Sequence, residues 1–174
     1  MDRSTNLAIA PLCCEAPTVA ALSEILVEVV AGGGSVSFLH PLPLETAAAF
    51  WRASLTQADA GERVVLGARV AGEIVATVTL DLATPQNQPH RADVAKLMTR
   101  PASRGLGLAR ALMIEAERLA RERGRSLLTL DTAEEGGAAG FYEKLGYQRS
   151  GRIPDYALTP HGQLSATLLY HKRL

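Results

Sequence analysis

Arg104-Gly105-Leu106-Gly107-Leu108-Ala109 runs directly into an apolar stripe at Ala109, Leu112, Met113, Ala116, Leu119 and Ala120. Recurrence at three- and four-residue intervals predicts an amphipathic helix. Its glycine-bearing start matters because first-turn amides have no intrahelical acceptors, and an anion approaches them closely where Cβ atoms are missing. A phosphate or pyrophosphate fits such a junction. Ahead of it, VAKLM suits a sheet and stops at Arg100-Pro101, since proline removes a ladder donor and restricts the residue before it. Beyond it, Gly124 ends the helix and Ser126 to Thr132, with Leu127, Leu128 and Leu130, predicts a second strand. A helix of this length suffices for a parallel crossover. The chemistry is therefore expected in the unit from Asp93 to Thr132.

The remaining chain frames that unit. With 174 residues, 47% of them apolar, one globular domain spanning 1–174 is expected. Eighteen basic residues balance eighteen acidic ones, which gives no support for a nucleic-acid or polybasic membrane partner. No apolar run spans a bilayer, and the N-terminal stretch MDRSTNLAIAPLCC lacks the features of a secretion signal, so the expected location is the cytoplasm. Cys13 and Cys14 are sequence neighbours without a third cysteine, and read as small core residues or surface thiols.

From Pro17 to Val30, Leu22, Ile25, Leu26, Val29 and Val30 share a helical face, with Thr18 as its cap. Gly32-Gly33-Gly34 ends that helix, and the segment to Pro43 is either a lid over a site or a plain linker. A second helix near Leu44 presents Leu44, Ala48, Trp51 and Leu55 on one face, with the tryptophan as a core anchor. Glu62 to Arg69 and Glu73 to Leu82 predict an antiparallel hairpin about Gly72, and Ala83 to His90 a polar loop. Ala138 to Leu145 reads as a short helix stopped by Gly146. Tyr147 to Ile153 leads into Pro154, and Ala166 to His171 is the last strand after a Pro160-His161-Gly162 turn. His40, His90, His161 and His171 are dispersed without metal-ligand spacing, so no metal is expected.

Three of these elements together carry a resemblance. The VAKLM strand, the Arg104 to Ala109 loop and Phe141-Tyr142-Glu143-Lys144-Leu145-Gly146-Tyr147 resemble the acetyl-coenzyme A fold of the GNAT N-acetyltransferases. A closer likeness, from Gly32-Gly33-Gly34-Ser35-Val36 through Lys96-Leu97-Met98 and Leu130-Asp131-Thr132 to Thr159-Pro160-His161-Gly162, is to the tabtoxin-resistance acetyltransferases. The resemblance implies an α/β (α+β) fold: a mixed, mostly antiparallel sheet with flanking helices, whose parallel strand pair splits around the cofactor. It implies acetyl-CoA as co-substrate, a small amine acceptor of amino-acid-like character, and a monomer or homodimer. Leu97, Met98 and Thr99 would bind the pantetheine and acetyl groups through their backbone, and Arg104, Gly105, Leu106, Gly107, Leu108 and Ala109 the pyrophosphate.

For catalysis the resemblance singles out Asp93 and Asp131 as bases and Tyr142 as the acid toward sulfur. A glutamate stands at the first position in the tabtoxin-resistance proteins, so the shorter Asp93 points to a bridging water. A parallel sheet without offset would leave Asp93 and Asp131 at opposite strand ends. Other readings make Asp93 a solvated charge, Asp131 a loop cap and Tyr142 a core aromatic. No cysteine, serine or histidine is placed by motif for an acyl-enzyme, so direct transfer in a ternary complex is expected. Acetylation of a protein or peptide, or coenzyme A binding without turnover, are the alternative functions.

Overall fold

The computed structural model describes residues 7–136 and 138–174; the first six residues of the N-terminal stretch lie outside them. The elements in chain order are β1 (Leu7–Pro11), α1 (Ala16–Ala31), α2 (Leu44–Asp59), β2 (Arg63–Val70), β3 (Glu73–Asp81), β4 (Arg91–Thr99), α3 (Leu108–Glu122), β5 (Leu127–Ala133), α4 (Ala139–Lys144), β6 (Gln148–Leu158) and β7 (Leu164–Arg173). The strands form one seven-stranded sheet in the order β1-β2-β3-β4-β5-β7-β6. Among the described residues only β4 and β5 pair in parallel; the other pairings are antiparallel. No described helix is long and apolar enough to cross a membrane.

Helices cover both faces of this sheet, so its central strands are apolar on both sides. On one face Leu112, Met113, Ala116 and Ala120 of α3 pack on Leu66, Val78, Leu80 and Leu128. On the other, Leu22, Ile25 and Leu26 of α1 and Trp51 and Leu55 of α2 pack on Val65, Ile74 and Met98. Burying each such large side chain contributes about 1.5–3 kcal/mol before the entropy of ordering is counted. Arg100, at the end of β4, is tied to α1 through Glu24 at 3.0 Å and Glu28 at 3.3 Å.

Strand β4 changes phase midway. Ala92 and Val94 face the α3 core, yet Met98 belongs to the α1/α2 core and Leu97 packs toward α3. Its register with β3 jumps from Thr79↔Ala95 to Thr77↔Met98, and Lys96 sits at the jump with φ +54°. One extra residue in a period-two strand exchanges the faces of everything after it.

Three expectations need correction. The N-cap of α1 is Glu15, which places Thr18 inside the first turn as a buried residue. Leu44 is 56% exposed, and the buried stripe of α2 is Ala47, Trp51, Ser54 and Leu55, because Leu44 borders an open groove between α2 and α1 instead of the core. β1 is a further strand that carries no sequence signal, because Leu-Ala-Ile-Ala-Pro is apolar throughout and shows no alternation. β6 runs past Pro154 to Leu158, with an irregularity between Ile153 and Ala157. As an edge strand it tolerates a missing N–H. Cys13 and Cys14 are exposed thiols.

Candidate active site

Behind a 3-10 turn at Pro101–Ser103, the loop into α3 is bent by two glycines in left-handed conformation, Gly105 (φ +81°) and Gly107 (φ +75°). Gly107 is the N-cap of α3 and offers no side chain to it. The first main-chain bond of the helix is Ala111 N–H to Gly107 O at 3.1 Å, leaving the amides of Leu108, Ala109 and Arg110 without an intrahelical acceptor. A Cβ built on either glycine meets nothing within 4 Å, so the space before these amides is open. Here a pocket of about 250 Å³ is lined by Thr99, Ser103, Arg104, Gly105, Gly107, Leu108, Ala109, Arg110 and Phe141. Free amides, an uncrowded backbone and two guanidinium side chains match the chemistry of a pyrophosphate. Leu106 instead turns to solvent, 56% exposed, and does not line the pocket.

Arg110, Ser103 and Phe141 are additions that sequence reading missed. Arg110 looks in sequence like any polar residue on the outer face of a helix. Only its place in the first turn, three residues beyond the N-cap, brings it to the pocket.

The split between the parallel strands starts past Asp93 and opens toward this loop. β4 and β5 are paired only at Arg91↔Leu127, Ala92↔Leu128 and Asp93↔Thr129. Past Asp93, β4 stays bonded to β3 as far as Thr99, but its other edge has left β5. Main-chain groups of the Leu97 to Thr99 stretch on that edge are thus free to bind an extended ligand. The side chains of Leu97 and Met98 serve the two cores, and Thr99 lines the loop pocket.

Offset of the strands resolves the difficulty about the two aspartates. Asp93 is level with Thr129, and Asp131 lies two residues further along β5 on the same face, about 7 Å along the strand. Asp93 Oδ1 accepts hydrogen bonds from Arg91 Nη1 and Thr129 Oγ1. Its side chain is 45% exposed. Asp131 is exposed, and its Oδ2 accepts from Thr167 Oγ1 at 2.9 Å.

Tyr142 is 8% exposed, in an aromatic cluster with Phe141, Tyr147 and Tyr170 whose ring centroids lie 5.2, 5.9 and 6.0 Å away. Burial, and then the negative charge of Asp131, push its phenol up to about 12. Tyr142 is therefore both a core aromatic and a protonated phenol beside Asp131 at neutral pH.

The α1/α2 side of the cleft holds a residue with no sequence signal. Lys96, on the bulge, donates to Ser37 Oγ at 3.1 Å and lies 6.0 Å from the Phe38 ring and 5.6 Å from the Phe50 ring. The segment carrying Ser37 and Phe38 is latched across the cleft: His40 N–H donates to Pro160 O at 2.8 Å, and the His40 and His161 rings are 5.2 Å apart.

A family model for the acetyltransferase (GNAT) family matches residues 35–147, more than half of the chain. In fold the chain is similar to the ribosomal-protein-alanine N-acetyltransferase of Brucella melitensis, with TM-score 0.79 and 19% identity over 96% of this chain and 99% of that one. It is also similar to a Salmonella typhimurium protein described as an acetyltransferase and solved with its cofactor acetyl-CoA (TM-score 0.78, 16% identity, 97% and 94% covered). A third similar structure is described as a phosphinothricin N-acetyltransferase (TM-score 0.79, 19% identity, 97% and 99% covered). At these identities the likeness is one of fold.

Proposed function

This chain belongs to the acetyltransferase (GNAT) family and is an acetyl-CoA-dependent N-acetyltransferase; we propose that it acetylates the primary amine of a small, amino-acid-like acceptor, with residues 1–174 acting as one domain. The observation that carries this reading is the latch from His40 to Pro160. It joins the segment before α2 to the turn between β6 and β7, which walls the acceptor side and suits a compact molecule better than a polypeptide. Tabtoxin-like amino acids are the first acceptors to try. The reading includes a cytoplasmic enzyme, monomeric or homodimeric, without nucleic-acid or membrane partners.

In this mechanism the loop Arg104 to Ala109 holds the pyrophosphate and the free edge of Leu97 to Thr99 holds the pantetheine and acetyl groups. When bound, acetyl-CoA supplies a thioester carbonyl and a thiolate leaving group. Asp131 takes the proton of the acceptor ammonium directly, and Asp93, with Oδ1 already engaged, acts through water. Tyr142 would serve as the acid toward the sulfur. A phenol held at about 12 keeps its proton near neutral pH, so Tyr142 would stabilise a departing thiolate chiefly as a hydrogen-bond donor.

The test is release of free coenzyme A with a panel of tabtoxin-like amino acids, other amino acids, polyamines and short peptides. Turnover with small amines and intersecting, sequential initial-rate patterns are expected. Turnover with peptides alone would overturn the small acceptor, and a ping-pong pattern with an isolable acetyl-protein the direct transfer.

A further inference from the structure

The mechanism above leaves Lys96 unused, although its position is an unusual one for a lysine. It occupies the extra residue of the β4 bulge, in left-handed conformation, which turns it toward the α1/α2 face. Its ammonium lies over Phe38 and Phe50, and Ser37 Oγ takes one of its three donors. Among the described residues no carboxylate comes within 4.0 Å of it: the ion pairs of the molecule are made by other bases. Burial lowers its pKa, which Asp131 partly offsets and Arg63 reinforces. An ammonium in an aromatic niche with unused donors is under-compensated, and an incoming anion relieves that.

We propose that Lys96 is a specificity-determining residue that binds the carboxylate of the acceptor, so that the enzyme selects zwitterionic amino acids over simple amines. This deepens the proposed function and rests on its small-acceptor reading. Lys96 and Asp131 lie near enough for their opposite charges to act on each other, and in this proposal Asp131 serves the ammonium and Lys96 the carboxylate. A molecule carrying both groups is oriented with its nitrogen toward the parallel-strand split, whereas an amine lacking the carboxylate leaves Lys96 unpaired. Phe38 and Phe50 exclude water around the ammonium and strengthen the charge pairing.

The experiment compares an accepted amino acid with its methyl ester and its decarboxylated amine, using wild type, Lys96→Met and Lys96→Arg. Methionine keeps an unbranched apolar side chain, one atom shorter than lysine, and removes the charge. Wild type is expected to favour the free acid by roughly tenfold to a hundredfold in kcat/KM, typical of one charge-assisted contact. Lys96→Met should erase that preference through KM for the acid, leaving kcat/KM for the amine within a few-fold, and Lys96→Arg should restore part of it. Circular dichroism and acetyl-CoA affinity check that each variant is folded. An equal loss on acid and amine, or a wild type indifferent to the carboxylate, would overturn the proposal while leaving a small-amine acetyltransferase standing. Turnover of peptides only would overturn both.

Discussion

The hydroxyl of Thr129 donates to Oδ1 of Asp93 across the last rung on which β4 and β5 are paired. Arg91 donates to the same oxygen, so Asp93 is fastened at the root of the split while Asp131 stands two residues further into it. Asp131→Asn is therefore expected to lower kcat by about 10²–10³-fold and Asp93→Asn by roughly tenfold. The half-exposed Arg91 pair contributes at most about 1 kcal/mol, so both variants should melt close to wild type. Full activity in Asp131→Asn would remove it as the base.

Tyr142→Phe should reduce kcat by about 10²-fold while the affinity for acetyl-CoA changes less than about twofold, because the hydroxyl is engaged only as charge develops on sulfur. The ring remains to pack against Tyr147 and Tyr170. A parallel fall in affinity and turnover would instead assign the hydroxyl to binding.

The same phenol makes stability depend on alkaline pH. Its folded value of about 12 lies above the ordinary value near 10, so the unfolded chain loses its proton first. The resulting stabilisation, on the order of 2–3 kcal/mol, is fully present below about pH 10 and is lost as pH rises to about 12. Tyr147 is displaced in the same direction by burial, with Glu117 and Tyr142 adding to it. Urea midpoints from pH 8 to pH 11 should decline, and less steeply in Tyr142→Phe. Identical slopes in the two proteins would trace the decline to other groups.

Gly107→Val should weaken acetyl-CoA binding by at least about tenfold in calorimetry, since a β-branched side chain is strained at φ +75° and stands before the free amides. Its stability should fall by about 1–3 kcal/mol. Gly33→Val supplies the control, with φ +85° and open space but a site at the end of α1, away from the pocket. Equal affinity in the two variants would take the loop out of the binding site.

What sequence could convey differs between the two sides of the cleft. Gly105 and Gly107 encode backbone conformations directly, and the stripe on α3 encodes its buried face, so the loop and its helix were legible with no structure, whereas the approach of Ser103, Arg110 and Phe141 was not. The acceptor side depends on pairing at a distance. Nothing in VAKLM marks Lys96 as the bulge, because a lysine there looks like the polar member of an alternating strand. Likewise, the nearness of Asp93 and Asp131 follows from an offset decided by which three residues of β4 and β5 pair. His40 and His161, 121 positions apart in numbering, meet only because a loop and a turn are latched.

The sheet, with one core on each face, has a consequence for descent. Substitutions at Phe38, Phe50 or Lys96 are felt by α1, α2 and the residues beneath them, such as Val65, Ile74 and Met98. The α3 core, built on Leu66, Val78, Leu80 and Leu128, lies behind the strands and does not have to follow. A lineage built this way can trade one acceptor for another while inheriting its pyrophosphate loop unchanged, with Met98 the point at which the two sides meet.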